Sequence, residues 1–216
     1  MAHVFVLGAT GGVGSRVVHQ LVARGDKTLA LHRAPRQAAQ LTAVGSTPVM
    51  GDLTTMEPSA LASHMQGCDA VVFTAGAPDQ GQAMADAVDG RGLATAADAA
   101  LAAGVRRFLH ISAFPDAWRD RGMGVDFEHY MRVKKQADVY LAATDLDWVI
   151  IRPGTLTSGP GTGRVRLGQA IDYGDVSRDD VAAVFAGLVH QPQINRVILE
   201  LTRGTTPISE AVAHAV

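Results

Sequence analysis

The stretch that decides the fold reads Gly8-Ala9-Thr10-Gly11-Gly12-Val13-Gly14, close to the start of the 216-residue chain. It follows the apolar residues 4–7 and precedes residues 15–24, in which apolar side chains recur at helical spacing. The pattern predicts a buried strand, a glycine-rich turn and an amphipathic helix. Such glycines permit a tight turn, a close approach to a pyrophosphate and close packing of the helix on the strand. The helix N-terminus then attracts the phosphates.

The spacing of this turn is G-x-x-G-x-x-G, not G-x-G-x-x-G. A glycine triplet alone is also compatible with a plain strand-to-helix connection that binds nothing. The remainder of the chain therefore has to distinguish a nucleotide site from an ordinary turn.

Length and composition indicate one ordinary globular domain. The chain is 47% hydrophobic and 19% charged with a net charge of −2, which gives no indication of nucleic acid or an anionic membrane as a partner. Cys68 is the sole cysteine, so no internal disulfide can form, and we expect a cytoplasmic location. No signal peptide or membrane-length apolar run is expected, and the eight histidines lack metal-ligand spacing, so we expect no metal.

Strand and helix patterns alternate along the chain after the first unit. This alternation predicts a Rossmann-type, doubly wound parallel sheet in three α/β/α layers. A small substrate-side portion is expected from about residue 153, loop-like to about residue 174 and rich in glycine near residues 159–163. The predicted strands are 27–32, 47–50, 69–74, 107–112, 148–152, 164–167 and 197–201, and the predicted helices are 37–44, 58–65, 84–103, 127–143, 177–190 and 208–214.

The exit of the second strand bears on the choice of nucleotide. In a dinucleotide fold, the residue about twenty positions past the glycine turn meets the adenosine ribose, as an acid for NAD or an arginine for NADP. Here the strand ends at His32-Arg33, Arg36 follows, and no acid is nearby. This favours NADP(H) over NAD(H), although Arg33 is also compatible with a solvated loop.

Two further loops follow predicted strands. Asp52-Leu53 leaves the third strand and Thr74-Ala75-Gly76 leaves the fourth, at the sheet edge where such folds bind ligands. Asp52 is placed to accept a hydrogen bond from the adenine amino group, and the small residues at 74–76 to let a ribose approach the backbone. Each loop by itself is equally compatible with a simple turn.

Candidate catalytic residues lie in the second half. Tyr130 and Lys134 are four residues apart, and so share one face of a predicted helix. A nearby cation favours the phenolate, so we expect a lowered pKa for Tyr130 and a role as general acid or base. Ser112, at the end of the fifth strand, is placed to hold the same substrate oxygen. Without a nucleotide site, the Tyr-Lys pair is equally compatible with a core edge and a surface charge.

Taken together, these motifs and Ile151-Arg152-Pro153-Gly154 resemble an atypical short-chain dehydrogenase/reductase. Within that class the chain is similar to the NAD(P)H-binding group related to NmrA-like proteins and biliverdin reductase B. The resemblance implies Tyr130 as proton donor or acceptor, Lys134 on the nicotinamide ribose and Ser112 orienting the substrate. The cofactor-binding residues it implies are Gly8, Thr10, Gly11, Gly12, Val13, Gly14, Arg33, Arg36, Asp52, Leu53, Thr74, Ala75, Gly76, Lys134 and Pro153.

One departure concerns the asparagine that the family usually carries on its central helix. The matching region here has Asp89, which puts the usual water-linked proton relay in doubt. The segment after Pro153 is short for a sugar-binding domain, so we expect a modest pocket shaped by Trp118, Met123 and residues 155–163.

Three functions follow from the sequence. The first is an NADPH-dependent oxidoreductase acting on a small carbonyl or conjugated substrate, with Tyr130 as proton donor. The second is an epimerase or dehydratase, and the third an NADP(H)-sensing regulator of the NmrA kind. The expected partner is a small molecule, and a monomer and a homodimer both remain open.

Overall fold

The computed structural model describes residues 1–115, 117–118 and 121–215. Within these residues the strands are β1 (His3–Leu7), β2 (Lys27–His32), β3 (Thr47–Met50), β4 (Ala70–Phe73), β5 (Arg107–Ile111), β6 (Asp147–Pro153), β7 (Thr155–Thr157), β8 (Arg164–Gly168), β9 (Asp175–Ser177), β10 (Val197–Arg203) and β11 (Thr206–Pro207). The α-helices are α1 (Gly14–Ala23), α2 (Arg36–Ala43), α3 (Pro58–Met65), α4 (Gln82–Met84), α5 (Gly92–Ala102), α6 (Val125–Ala142), α7 (Arg178–Val189) and α8 (Ile208–Ala213), with a π-helical segment, Ala85–Arg91, between α4 and α5.

The main sheet has the order β11-β8-β10-β6-β5-β4-β1-β2-β3. Neighbours from β3 through to β10 run parallel, whereas β8 is antiparallel to both β10 and β11. The order β3-β2-β1-β4-β5-β6 is that of a Rossmann fold, in which the direction of winding reverses between β1 and β4. A ligand crevice is therefore expected where β1 and β4 end.

Alternating side chains of β1 explain how the sheet is covered on both faces. Val4 and Val6 belong to the core cluster formed with α1, α7 and α8, whereas Phe5 and Leu7 belong to the cluster formed with α3, α5 and α6. All four side chains are fully buried. Successive strand residues point to opposite faces, so helices must cover both sides. The predicted three-layer Rossmann-type fold is confirmed.

The predicted helix over residues 84–103 differs from the structure. It is α-helical only over Gln82–Met84 and Gly92–Ala102, and the seven residues Ala85–Arg91 between them form a π-helix. The loop-like segment before residue 174 also contains the short strand β7 in addition to β8, and β7 pairs in a separate parallel sheet with β9, which follows the segment. The predicted start of α7 is confirmed, since the Ser177 side chain accepts the Asp180 N–H and caps the helix.

Each edge of the main sheet is a short strand that contains a proline. At one edge, Pro48 of β3 stands opposite Ala30 of β2. At the other, Pro207 of the two-residue β11 stands opposite Arg164 of β8. Proline has no N–H to donate, and it is confined within sheets to positions such as these.

Candidate functional site

A cleft of about 400 Å³ opens where β1 and β4 end, at the point where the strand order reverses. Its walls come from the loops that follow β1 to β5, from α6, and from the segments around Leu156 and Arg178. Brought together there are Gly8, Thr10, Gly11, Gly12, Val13, Arg33, Asp52, Leu53, Thr74, Ala75, Gly76, Ser112, Tyr130 and Lys134. The structure thus collects most of the predicted site residues into one cavity.

The glycine turn can hold its shape only with glycine at two positions. Gly8 has φ = +80°, and a Cβ atom there would lie 2.4 Å from the Ala75 nitrogen. A Cβ atom on Gly14 would lie 2.1 Å from the Gly8 carbonyl oxygen and 2.5 Å from Thr74 Oγ1. Gly14 therefore lets α1 start directly against the turn. Gly14 itself is packed there and does not line the cleft.

The start of α1 is suited to an anion. Val13 occupies its N-cap position, no side chain caps the helix, and its first turn contains no acid. The first N–H groups of a helix have no intrahelical acceptor, and its N-terminus carries partial positive charge. The Ser15 N–H already donates to the Gly11 carbonyl oxygen at 3.0 Å, whereas the partial positive charge of the helix N-terminus remains available for phosphate oxygens.

Arg33 and Asp52 flank the end of the cleft next to β2 and β3. Asp52 Oδ1 accepts hydrogen bonds from the Thr54 hydroxyl at 2.7 Å and the Thr54 amide at 2.9 Å. These two bonds, and to a smaller extent the charge of Arg33, lower the pKa of Asp52. Asp52 is therefore a carboxylate that accepts hydrogen bonds. Arg36 begins α2 and stands outside the cleft.

Lys134 lies at the opposite end of the cleft, on α6, and is only 2% exposed. Its Nζ donates to the Ile111 carbonyl oxygen at 2.8 Å and lies 3.3 Å from Asp89 Oδ1. Asp89, fully buried on the π-helical segment, also accepts the Ala77 N–H at 2.9 Å. The residue that replaces the family's asparagine therefore pairs directly with the lysine.

The expectation of a lowered pKa for Tyr130 is wrong. Burial raises the pKa of this phenol, and the negative charges of Asp89 and Asp79 raise it further. The ammonium of Lys134 is paired with Asp89, so the phenol does not meet an isolated cation. Tyr130 is therefore protonated at neutral pH.

A buried polar cluster lies next to Ser112. Arg152 donates to Asp138 Oδ2 from Nη2 at 2.8 Å, and His110 Nε2 lies 3.6 Å from Asp138 Oδ1. Burial raises the pKa of Asp138, against the opposing effects of the Ser112 hydroxyl and Arg152. Burial, followed by the charge of Lys134, lowers the pKa of His110 well below its usual value. His110 is therefore neutral. The cluster adjoins the cleft through Ser112, which lines it.

Three other expected positions stand apart from the cleft wall. Pro153 is buried at the end of β6 and does not line the cavity. Trp118 stacks on Phe127 with ring centroids 5.8 Å apart, and Met123 is 44% exposed; neither lines the cavity. Of the expected 155–163 border, Leu156 reaches it.

Several residues that line the cleft were not predicted from the sequence. Met84 is the last residue of α4 and Val88 lies on the π-helical segment, whereas Arg178 begins α7. No local motif marks Met84 or Val88. The one signal for Arg178 was its place next to the capping serine, which predicts a helix start but not what lies across from it.

In the described ranges, no helix is long and apolar enough to cross a membrane. Over the same residues, no group of three or more His, Cys, Asp or Glu side chains is arranged to hold a metal ion.

The shape and charge of the cleft fit a nicotinamide dinucleotide. Gly11 and Gly12 leave backbone without side chains on the cleft wall, where a pyrophosphate must approach, and α1 begins beside them with no side-chain cap and with partial positive charge at its N-terminus. Arg33 lies at one end of the cleft, whereas Tyr130 and Lys134 lie at the other. A long ligand with an anionic centre matches this arrangement.

Comparisons with known proteins agree with the geometry. A family profile described as NAD(P)H-binding matches residues 8–192. A Bacillus subtilis (strain 168) protein described as an uncharacterized sugar epimerase, YhfK, is 38% identical over 212 residues, covering 97% of this chain and 98% of that protein.

Two solved structures extend the likeness to the whole fold. A Bacillus halodurans protein, provisionally assigned as an NAD-dependent epimerase/dehydratase, superposes with a TM-score of 0.89 at 28% identity and covers 99% of both chains. The anaerobilin reductase ChuY from Escherichia coli O157:H7 superposes with a TM-score of 0.80 at 26% identity, covering 93% of this chain and 97% of that one. The chain therefore belongs to the NAD(P)H-binding family of Rossmann-fold proteins, whose members resemble oxidoreductases and epimerases.

Proposed function

We propose that the protein is an NADP(H)-dependent oxidoreductase that reduces a small carbonyl or conjugated substrate. The observation that carries this proposal is the meeting of Ser112, Tyr130 and Lys134 in the same cleft as the glycine turn. A protein that only senses a nucleotide has no need of a phenol, an ammonium and a hydroxyl at the far end of the dinucleotide.

The preference for NADP(H) rests on Arg33. It follows β2, lines the cleft and has no carboxylate within ion-pair distance among the described residues. A guanidinium matches the geometry of a phosphate and is always charged. The 2′-phosphate of NADP(H) would give Arg33 a direct ion pair, whereas the ribose hydroxyl of NAD(H) would not.

The protonated phenol of Tyr130 suits reduction. The bound nicotinamide supplies a hydride, and the substrate oxygen that gains negative charge needs a proton. Tyr130 gives that proton, Ser112 orients the oxygen, and the Lys134 ammonium holds the nicotinamide ribose. Since Asp89 and the Ile111 carbonyl hold Lys134, the ammonium has a fixed position from which to act.

An epimerase is the second candidate, because two relatives carry that description. Such an enzyme returns the hydride to its substrate and consumes no cofactor. We rank it below the reductase because the residues after Pro153 add strands β8, β10 and β11 to the main sheet instead of forming a separate sugar-binding domain.

The proposal is tested by following NADPH oxidation across a panel of aldehydes, ketones, quinones and flavins. Tyr130→Phe should lower kcat for the best substrate by about 10²- to 10⁴-fold, the usual contribution of a general acid. NADPH affinity should stay unchanged. Tyr140→Phe is the matched control, since Tyr140 is on the same helix but donates to Asp98 on the surface.

The outcomes separate the candidates. Full activity of Tyr130→Phe would show that another group donates the proton. Tight NADPH binding without turnover of any compound would favour a regulatory protein. Interconversion of a sugar with no net NADPH loss would favour the epimerase.

A further inference from the structure

Arg178 is the first residue of α7, and its side chain reaches across the cleft to the glycine turn. A Cβ atom on Gly12 would lie 3.0 Å from Arg178 Nε and 3.1 Å from its Cδ. Both residues line the cleft. The guanidinium therefore occupies the wall that faces the uncapped start of α1.

The charge of Arg178 is not neutralised in the described part of the chain. Its Nη1 donates to the Leu156 carbonyl oxygen at 3.2 Å and to Ser158 Oγ at 3.0 Å, both neutral acceptors. The next two residues, both acidic, face elsewhere: Asp179 accepts from Arg16 Nε at 2.5 Å, and Asp180 accepts the Gly163 N–H at 2.8 Å.

Arg16 makes the contrast clear, because it also reaches the glycine turn. Its Nη1 donates to the Gly12 carbonyl oxygen at 2.6 Å, while its Nε is paired with Asp179. Arg16 is thus neutralised and occupied with holding the backbone. Arg178 approaches the same residue from the cleft side, and its contacts leave guanidinium N–H groups for another acceptor.

We propose that Arg178 binds the pyrophosphate of the dinucleotide from beside Gly12 of the glycine turn. A guanidinium gives a phosphate two parallel charge-assisted hydrogen bonds, and the α1 N-terminus would contact the other oxygens. The proposal deepens the assigned nucleotide binding and does not depend on which substrate is reduced. It also links the cofactor to the 156–158 segment, which the same side chain holds.

The experiment is a binding titration with four ligands: NADPH, NADH, ADP and adenosine 2′-monophosphate. Arg178→Gln should weaken NADPH, NADH and ADP by a similar factor, about 10- to 150-fold, because all three contain a pyrophosphate. Adenosine 2′-monophosphate lacks one, so its affinity should stay within about twofold of wild type. Arg178→Lys should restore part of the loss, since an ammonium keeps the charge but not the paired donors.

Arg33→Gln is the matched variant, because it removes the same group from the other end of the cleft. It should weaken NADPH and adenosine 2′-monophosphate while leaving NADH and ADP unchanged. Both variants thus weaken NADPH, but they produce opposite results for NADH, ADP and adenosine 2′-monophosphate. Equal urea midpoints for both variants and wild type show that neither has lost its fold.

Two results would overturn the proposal. Unchanged affinities of Arg178→Gln for NADPH, NADH and ADP would show that Arg178 does not bind the pyrophosphate. A loss confined to the KM of an acidic substrate would assign the guanidinium to that substrate. Binding is the measured quantity, so the role of Arg178 can fail while the protein remains a reductase, and it can hold if the protein catalyses nothing.

Discussion

At the scale of single residues, the site depends on the two partners that hold Lys134, the Asp89 carboxylate and the Ile111 carbonyl oxygen. Helical spacing places Tyr130 and Lys134 on one face, and by itself this predicts a phenol with a lowered pKa. Burial of the phenol reverses the expected direction of the pKa shift, and the Asp89 carboxylate contributes, because it pairs with Lys134 and adds negative charge near Tyr130. A phenol that keeps its proton follows from the full set of neighbours.

This environment predicts the pH dependence of the reaction. Reduction needs the protonated phenol, so kcat/KM for NADPH-dependent reduction should stay level from about pH 6 to 9 and fall only above the usual tyrosine pKa of about 10. Oxidation of the alcohol product needs the phenolate, so its kcat/KM should rise with pH across the same range. Initial rates in both directions measure this. A fall in kcat/KM for reduction between about pH 7 and 8 would contradict the raised pKa of Tyr130.

Some site residues can be predicted from sequence and others cannot. The glycines at 8, 11 and 12 directly follow β1 and Arg33 directly follows β2, so a local motif is enough to place them in the cleft. Arg178 is 166 positions from Gly12, and only the folded sheet brings them together. The sequence shows that Asp89 departs from the asparagine that the resemblance leads us to expect. Only the folded structure shows that Asp89 pairs with Lys134.

At the scale of elements, the π-helical segment explains how Asp89 reaches the site. A π-helix has more residues per turn than an α-helix, and such segments are frequent at functional sites. The segment Ala85–Arg91 buries Asp89 between the Ala77 amide and Lys134. Nothing in the alanine-rich pattern of residues 84–103 separates π from α, which is why one continuous helix was predicted.

The junction of β1 and α1 gives a prediction for stability. Gly14→Ala should lower the free energy of unfolding by about 1–3 kcal/mol, because the added Cβ atom collides with the Gly8 carbonyl oxygen at 2.1 Å. It should also weaken NADPH binding by displacing the turn. Urea unfolding and nucleotide titration measure the two effects.

Gly187→Ala is the control for that experiment. Gly187 lies within α7, and a Cβ atom there would meet Val212 at ordinary contact distances of 3.4 Å and more. Removing a helical glycine should leave stability unchanged or raise it by up to about 1 kcal/mol. Equal effects of the two substitutions on the free energy of unfolding would mean that the close approach of Gly14 to the Gly8 carbonyl oxygen does not determine stability.

At the scale of the whole molecule, the parallel pairing of β1 to β6 and the helices on both faces follow from the alternation of strands and helices in the sequence, because each parallel crossover must be right-handed. The order β3-β2-β1-β4-β5-β6 does not follow from that alternation, since other doubly wound orders obey the same rule. The C-terminal strands were harder to predict. β7 and β9 have three residues each and β11 has two, too few for a recognisable period, and their pairing joins distant segments. Tertiary contacts decide such elements.

Arg107 holds the C-terminal part of the molecule to the sheet. It is 7% exposed and donates to the carbonyl oxygens of Leu188 at 2.7 Å and Ile194 at 2.5 Å. Arg107→Met should lower the free energy of unfolding by at least about 3 kcal/mol, because several buried carbonyl groups lose their donor. Guanidinium or urea unfolding measures the change.

Arg106 provides the neighbouring control. Its side chain is 59% exposed and pairs with Asp147 at 3.2 Å on the surface. Arg106→Met should cost less than about 1 kcal/mol, as is usual for exposed ion pairs. If Arg106→Met proved as damaging as Arg107→Met, the loss could not be assigned to the buried carbonyl groups.

The prolines at the two ends of the main sheet affect how folded molecules behave toward one another. An exposed edge strand offers free N–H and C=O groups on which a strand from another molecule can add. Pro48 and Pro207 each remove a donor from an edge, and both edge strands are short. As long as the chain is folded, growth of the sheet from one molecule into the next is therefore disfavoured at both ends.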